Sequence, residues 1–317
     1  MSKKLRYLKI TVKNTLAFIV TLLFIASLSF FIIVSLPRDA ALNAMLPMGI
    51  TDTHVINELR QSLGLDLSLP LRFFNWLKAA ICFDFGQSFY YASPVSAILA
   101  KAALITLKIC FIAAILIVII SLPLGLYCAL YPNSLPDKLL HVLAILCLSL
   151  PTFILGLICL SIMGAKLKLI GTLPAITFKE LLIPAGTLAL PMIAYYIRQI
   201  RTAVLKEIAQ SYIQALIVRG ISLNVILLKH VLPRALIALL PLAGISCARL
   251  LCGSVIVETV FSINGLGTVA LKAVTMRDIN LIEAYVIYCS IIFIILNKSV
   301  DLLCRRLSRK ARGDVNE

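Results

Sequence analysis

Six long apolar stretches dominate this chain, and its basic residues concentrate on one side of them. Hydrophobic residues make up 61% of the 317 residues and charged residues only 14%, so a water-soluble fold would expose an unfavourably large apolar surface. In a bilayer, by contrast, about 20 apolar residues span the hydrocarbon core as a helix that satisfies its own backbone. The sequence therefore predicts an all-α integral membrane protein with six transmembrane helices. The predicted spans are Leu16–Leu36, Ala103–Leu130, Leu139–Met163, Leu181–Ile200, Ala235–Val257 and Ala284–Leu303.

The distribution of basic residues predicts the orientation. Seventeen of the 30 Lys and Arg residues lie in the N-terminal tail, at position 138, in the 198–234 segment and in the C-terminal tail, against ten on the other side. Because basic residues concentrate on the cytoplasmic side of membrane proteins, both termini are predicted to be cytoplasmic in a multi-pass cell (inner) membrane protein. Anchoring beside anionic membrane lipid also explains the net charge of +16, so no nucleic-acid partner is predicted. The first apolar run is too long for a signal peptide, which favours an uncleaved anchor.

The apolar spans and the basic residues together divide the chain into three predicted regions. Residues 1–96 are predicted to form an N-terminal anchor helix and an external loop region. Residues 97–304 are predicted to form a five-helix transmembrane domain with a cytoplasmic loop at 201–234, and residues 305–317 a basic cytoplasmic tail.

The 201–234 loop is predicted to be two helices separated by a glycine. Glu207–Val218 has a helical pattern, and Gly220 ends it because glycine tolerates the positive φ that a helix C-cap requires. Ser222 or Asn224 would cap a second short helix that runs through His230. Such a projecting element is suited to docking in the groove of a partner, although a solvated loop between spans is the simpler alternative.

The spacing of this loop resembles that of a known family. Tyr212, Ala215 and Gly220 are followed by His230 and by Leu232-Pro233, where the fifth span is predicted to begin. This pattern is similar to the conserved loop of binding-protein-dependent ABC importer permeases, in particular the dipeptide/oligopeptide/nickel branch. Gln214 stands where the usual loop has Glu, which the peptide branch often lacks. The resemblance implies an ATPase-coupling loop formed by Tyr212, Gln214, Ala215, Arg219, Gly220, His230, Leu232 and Pro233.

Two further stretches resemble the same branch, so the resemblance covers nearly the whole chain. The first external loop matches at residues 63–66, at Trp76, at residues 83–88 and at Pro94-Val95, and the last third matches at residues 253–267, 277–278 and 297–301. Departures are Asn264 in place of Pro, Pro37-Arg-Asp-Ala40 in place of Pro-Gly-Asp-Pro, and the absence of Asp-Pro-Arg from the tail.

The resemblance implies the type I ABC importer permease fold and its partners. These are a second homologous permease, two cytoplasmic ATPase subunits and an external solute-binding protein. The sequence has no Gly-x-x-x-x-Gly-Lys-Ser/Thr phosphate loop, so ATP is expected on the partner subunits and no cofactor in this chain. The chain is not expected to be an enzyme, and no catalytic or metal-binding residues are predicted.

Several charged and glycine residues carry their own hypotheses. Arg249 lies well inside a predicted span and is a candidate for the translocation path, where it would pair with a peptide carboxylate; snorkelling of its side chain is the alternative. The predicted contacts to the external binding protein are Asp84, Gly86, Glu258, Gly265 and Gly267. For Asp84 and Glu258, the alternative is local capping and hydrogen bonding within the loops.

Functions from other classes are less well supported. A membrane enzyme would need a nucleophile with a base or a metal at membrane depth, and no His or carboxylate in a span is placed to activate a serine. A stand-alone secondary transporter would more often carry buried carboxylates within its spans. The predicted function is a permease subunit for peptides, with nickel or another small solute as the alternative substrate.

Overall fold

The computed structural model describes residues 3–35, 52–62, 66–166 and 178–313. Within these ranges the chain is helical, apart from short connections and one two-stranded antiparallel hairpin. Leu36, residues 37–40 and residues 63–65, which belong to features predicted from the sequence, lie outside the described residues. The elements are α1 Lys3–Val34, α2 Thr53–Ser62, α3 Leu69–Ile81, β1 Gln87–Ser88, β2 Ser93–Pro94, α4 Val95–Leu130, α5 Leu135–Ser149, α6 Thr152–Cys159, α7 Phe178–Ile208, α8 Ser211–Val218, α9 Leu223–Val260, α10 Leu266–Met276 and α11 Ile279–Gly313.

Four helices in the described ranges are long and apolar enough to cross a membrane by themselves. They lie in α4, α7, α9 and α11, which contain the second, fourth, fifth and sixth predicted spans. The α5 and α6 helices together make a fifth crossing if they count as one broken span. The first predicted span lies in α1, whose described apolar part, Leu16–Ile32, is shorter than the other four.

The third predicted span is not one straight helix. The chain bends by 107° between α5 and α6, at Leu150 and Pro151. Leu150 has an extended backbone with φ −84° and ψ 131°, because the proline ring that follows disfavours the helical conformation of the residue before it. A π-helical segment, Leu160–Lys166, continues α6. Hydropathy predicted the apolar length correctly but not the change of direction.

Two boundaries in the predicted coupling loop are also wrong. Glu207 does not begin the loop helix but belongs to the last turn of α7, and α8 starts only at Ser211, after Gln210 adopts an extended backbone with ψ 143°. The second short helix does not end at His230 but continues into the fifth span as α9. Residues Ile226–Val231 are π-helical, and these wider turns precede Pro233, which cannot donate a backbone hydrogen bond and crowds the preceding turn.

The chain divides into two compact units, each of which combines parts that are distant in sequence. The units are Met1–Leu104 with Thr268–Ile294, and Ile105–Gly267 with Ile295–Glu317. In the first unit, the aromatic rings of Phe30 and Trp76 pack with their centroids 5.3 Å apart. The buried Asp278 accepts hydrogen bonds from the Ser88 hydroxyl at 2.5 Å and from the Tyr90 backbone N–H at 3.2 Å, so it holds the hairpin on the start of α11.

The second unit packs α4, α7 and α9 around a common apolar core. Small residues at its centre let the helices approach closely, which suits helix packing in membranes. Residues with no exposed surface there include Ile109, Ala113, Ala185, Ala189 and Val257. A polar clamp joins α5 to α7: Arg201 donates two hydrogen bonds of 2.9 Å to the two carboxylate oxygens of the buried Asp137.

Candidate functional site

The turn after α8 is built around Gly220. Its φ is +76°, as the sequence predicted. The Gly220 N–H donates to the carbonyl of Ile217 at 2.9 Å, and the Ile221 N–H donates to the carbonyl of Leu216 at 3.3 Å. These two bonds are the Schellman pattern, which satisfies the last carbonyl groups of a helix and requires a left-handed residue at this position. The direction in which the chain leaves α8 therefore depends on this glycine.

A polar cluster of Glu207, Tyr212 and Arg234 connects the three helices of this segment. The Tyr212 hydroxyl in α8 donates a hydrogen bond to the Glu207 carboxylate at the end of α7. The Arg234 guanidinium in α9 lies 3.7 Å from the same carboxylate oxygen and 4.2 Å from the centroid of the Tyr212 ring. One carboxylate thus fixes α8 against both neighbouring helices.

This cluster changes the acidity of the tyrosine. Burial, and then the hydrogen bond and negative charge of Glu207, raise the pKa of Tyr212 to about 12. The phenol therefore stays protonated and keeps donating to Glu207 at any physiological pH. Tyr212 could be named from its motif, but its two partners were missed. Glu207 was predicted to lie in the same helix as Tyr212, where residues five positions apart do not face each other, and Arg234 lies 22 positions away, beyond any local pattern.

The coupling-loop residues named from sequence lie together in this segment, with different exposure. Gln214, Ala215, Arg219, Gly220 and Pro233 are exposed, whereas Tyr212, His230 and Leu232 are half-buried. Ile213 is buried and anchors α8 to the core of the second unit. The same segment exposes large apolar side chains, with Val218 88% and Leu223 66% exposed.

Arg249 lies on the exposed side of α9, away from the packed core. Its guanidinium carbon is 5.2 Å from the centroid of the Tyr195 ring in α7, a cation–π contact. Nearby, the hydroxyl oxygens of Tyr196 and Ser246 are 2.7 Å apart and fix the position of α9 against α7. Among the described residues, no carboxylate lies within ion-pair distance of Arg249.

Glu258, one of the predicted contacts to a binding protein, is completely buried. Its carboxylate accepts hydrogen bonds from the Thr106 hydroxyl at 2.6 Å and from the Gly267 N–H at 2.7 Å. The Thr106 hydroxyl oxygen in turn accepts from the Leu266 N–H at 2.8 Å. This geometry agrees with the capping alternative, since Glu258 and Thr106 together accept from the first two backbone N–H groups of α10 and no part of the Glu258 side chain reaches the surface.

The two glycines of this turn are buried with Glu258. A Cβ on Gly265 would lie 2.4 Å from the carboxyl carbon of Glu258, and a Cβ on Gly267 would lie 2.4 Å from the Cα of Val255. The turn therefore requires glycine at both positions for close approach. Of the predicted contacts, Asp84 and Gly86 alone are exposed, in a turn closed by a 3.1 Å hydrogen bond from the Gly86 N–H to the Asp84 carboxylate.

The fold and these sites define a multi-pass helical membrane protein with an exposed helix–glycine–helix segment. The chain matches the family "Binding-protein-dependent transport system inner membrane component" over residues 121–313, and the N-terminal region of the same type of component over residues 7–110. It belongs to this family of inner-membrane permeases of ABC importers. The family assignment made from the loop motif is therefore confirmed.

Individual relatives support the same assignment, and solved structures show a similar fold. The chain is 31% identical over 295 residues to the nickel import system permease protein NikB of Staphylococcus aureus strains RF122 and MRSA252, with 92% of this chain and 89% of the relative covered. It is similar in fold to an inward-facing structure of the MetNI methionine ABC transporter, with a TM-score of 0.55 and 19% identity over 66% of this chain and 96% of that one. A second crystal form of MetNI gives a TM-score of 0.54 at 18% identity, with the same shares covered.

Proposed function

We propose that this permease pairs with a second, homologous permease to enclose a path for small solutes, and that its 207–234 segment docks on cytoplasmic ATPase subunits. The ATP-binding sites would belong to those partners. ATP-driven closure of the partners would favour one of two conformations of the path. Family membership supports this division of labour, since the chain has no phosphate loop of its own.

The exposed apolar surface of the coupling segment is the observation that carries the docking proposal. Val218 and Leu223 lie on either side of the Gly220 turn and expose most of their side chains. Water-soluble surfaces rarely keep such residues together without a partner that covers them. A segment fixed by a polar cluster and a Schellman turn also presents this surface in a defined orientation, which docking by complementary shape requires.

The substrate is proposed to be a small solute of the peptide or nickel class. The peptide alternative rests on the motifs of the coupling loop and the external loop. The nickel alternative rests on the NikB relatives, whose name states what they import. Selectivity would begin outside the membrane, where a solute-binding protein would contact the exposed Asp84–Gly86 turn.

The orientation follows from the same proposal. The coupling segment must face the ATPase subunits, so both termini would be cytoplasmic and residues 52–101 external, as the distribution of basic residues also predicts. In an otherwise cysteine-free chain, Arg60→Cys should react with a membrane-impermeant thiol reagent added from outside. Labelling from the cytoplasmic side alone would contradict this orientation.

Cross-linking tests the docking proposal directly. Val218→Cys in a cysteine-free chain, carried in its natural host, should cross-link to an ATP-binding subunit. Val118→Cys is the matched control, because Val118 is also exposed, at 60%, but lies in the middle of the second predicted span. If the ATPase subunits co-purify but cross-link to neither cysteine, or equally to both, then the 207–234 segment is not the docking surface.

A further inference from the structure

The exposed side of α9 carries one basic residue inside an otherwise uncharged stripe. Residues of this stripe recur every three or four positions and are exposed: Pro241, Ile245, Arg249, Cys252 and Ile256. An arginine that faces lipid at membrane depth is costly, and such residues normally face a water-filled space or a protein partner. The position therefore needs an explanation beyond the packing of this chain.

Snorkelling does not explain where the arginine points. Arg249 lies eight residues before the end of the predicted span at Val257, so its Cα is about 12 Å inside that end. Side chains of a helix lean toward its N-terminus, which in α9 is the direction away from Val257. The contact with the Tyr195 ring holds the guanidinium against the neighbouring helix α7.

Within the described ranges, no side chain neutralises the charge of Arg249. Its described contact is the face of an aromatic ring, which orients a guanidinium but carries no net charge. A guanidinium held in this way keeps its donor groups for a planar anion such as a carboxylate. The same positive charge repels a free divalent cation.

We propose that Arg249, positioned by Tyr195, makes the translocation path selective for solutes that carry a carboxylate. This inference rests on the proposed importer function and narrows its substrate class. A peptide would present its terminal carboxylate to Arg249. Nickel would pass as a carboxylate-bearing chelate and not as the free Ni²⁺ ion.

Cys252 provides a direct test, because it is exposed one turn from Arg249 on the same stripe. The other eight of the 9 cysteines are replaced by serine, and the full transporter is kept in membrane vesicles. Two methanethiosulfonate reagents are compared, one with a carboxyethyl group and one with a trimethylammonioethyl group. The rate constant of each reagent with Cys252 is divided by the rate constant of the same reagent with free 2-mercaptoethanol.

The ratio of the two normalised rates measures the selectivity for anions. It should favour the carboxylate reagent by about tenfold or more, since opposite and like charges within roughly 7 Å differ at least that much at the effective dielectric of a protein. Arg249→Gln should bring the ratio close to one, whereas Arg249→Lys should keep most of it. Ile245→Gln introduces the same amide one turn away on the stripe and should leave the ratio unchanged.

Three results would overturn the proposal. The cationic reagent could react as fast as the anionic one in the unmodified chain. The ratio could stay the same in Arg249→Gln. The third result is that both charged reagents fail to react although a neutral, membrane-soluble maleimide reacts, which would place the stripe against lipid or another protein. None of these results affects the Val218 cross-link, so the importer proposal and the selectivity proposal fail separately.

Discussion

The coupling segment around Gly220 and the buried turn around Glu258 use similar residues for opposite purposes. Both contain a glycine at a position that disfavours other residues, and a glutamate whose carboxylate contacts neighbouring elements. In the coupling segment, a Cβ on Gly220 would meet no atom within 4 Å, so the requirement is one of backbone angle alone. In the buried turn, the requirement at Gly265 and Gly267 is one of space. A glycine motif therefore indicates a surface that can contact a partner only where no other atoms of the chain surround the glycine.

The largest effect is expected from filling the buried turn. Gly267→Ala would push a Cβ to 2.4 Å from the Cα of Val255, a backbone atom that cannot rotate away. Overpacking of this kind costs about 1–3 kcal/mol and sometimes more. The variant should lose membrane abundance and melt at a lower temperature in detergent.

Gly186→Ala is the matched control for this substitution. A Cβ on Gly186 would meet no atom within 4 Å, and the residue lies inside α7. Alanine should be tolerated there or stabilise the helix by up to about 1 kcal/mol. Equal losses in the two variants would show that the turn has no special requirement for space.

A loss of up to the same size, without a steric clash, is expected from removing the hydroxyl that bridges the buried turn. Thr106→Val deletes the donor to Glu258 and the acceptor for the Leu266 N–H, which leaves buried polar groups unpaired at a cost of about 1–3 kcal/mol. Thr187→Val is the control, because the equally buried Thr187 donates only to the carbonyl of Ile183 in its own helix. Thermal unfolding of the two variants should differ clearly; a match between them would argue against the capping role of Glu258.

The polar cluster of the coupling segment should contribute less to stability than the buried turn. The side chains of Arg234 and Glu207 are 40% and 20% exposed, so solvent screens their attraction. A double-mutant cycle with Arg234→Gln and Glu207→Gln should give a coupling energy of about 0.5–1 kcal/mol in detergent. A value near zero would mean that the pair does not position α8.

The smallest expected effect concerns pH. The pKa of Tyr212, raised to about 12 from an ordinary value of 10.0, means that its proton is held more tightly in the folded state. The resulting stabilisation is complete below pH 10 and is lost as the pH rises through about 12, so Tyr212 adds no pH dependence near neutrality. The tyrosinate absorbance that disappears in Tyr212→Phe should titrate near pH 12, and at a lower pH in Glu207→Gln. A titration near pH 10 in the unmodified chain would mean that the cluster does not form.

Several parts of the molecule show how much of the structure the sequence alone can predict. Apolar length predicted most of the spans, and the helix stop at Gly220 with its positive φ was correct, because both depend on local properties of the chain. The size of the bend at Pro151 could not be predicted, and the continuation of α9 through Pro233 was missed, since the hydropathy of a stretch does not record its direction. The pairing of Ser88 with Asp278 joins residues 190 positions apart, which no local pattern can show.

Exposure was the other property that sequence could not supply. Glu258, Gly265 and Gly267 belong to a stretch that resembles the family, yet all three are buried, and the Gly267 N–H donates to the Glu258 carboxylate. Asp84 and Gly86 from the external loop are exposed. Arg249 was named from its depth in a span. Its contact with Tyr195, which decides the direction of the side chain, required the packing of α9 on α7.

Solute-stimulated ATP hydrolysis in a Gly220→Val transporter tests the coupling role of the 207–234 segment most directly. A β-branched residue at φ +76° is strained by about 1–2 kcal/mol, which should redirect the chain after α8, whereas Gly220→Asn tolerates this conformation. We expect Gly220→Val to keep normal membrane abundance but to lose stimulation and transport, and Gly220→Asn to keep both. Full stimulation and full transport in Gly220→Val would show that this segment does not couple the permease to its ATPase.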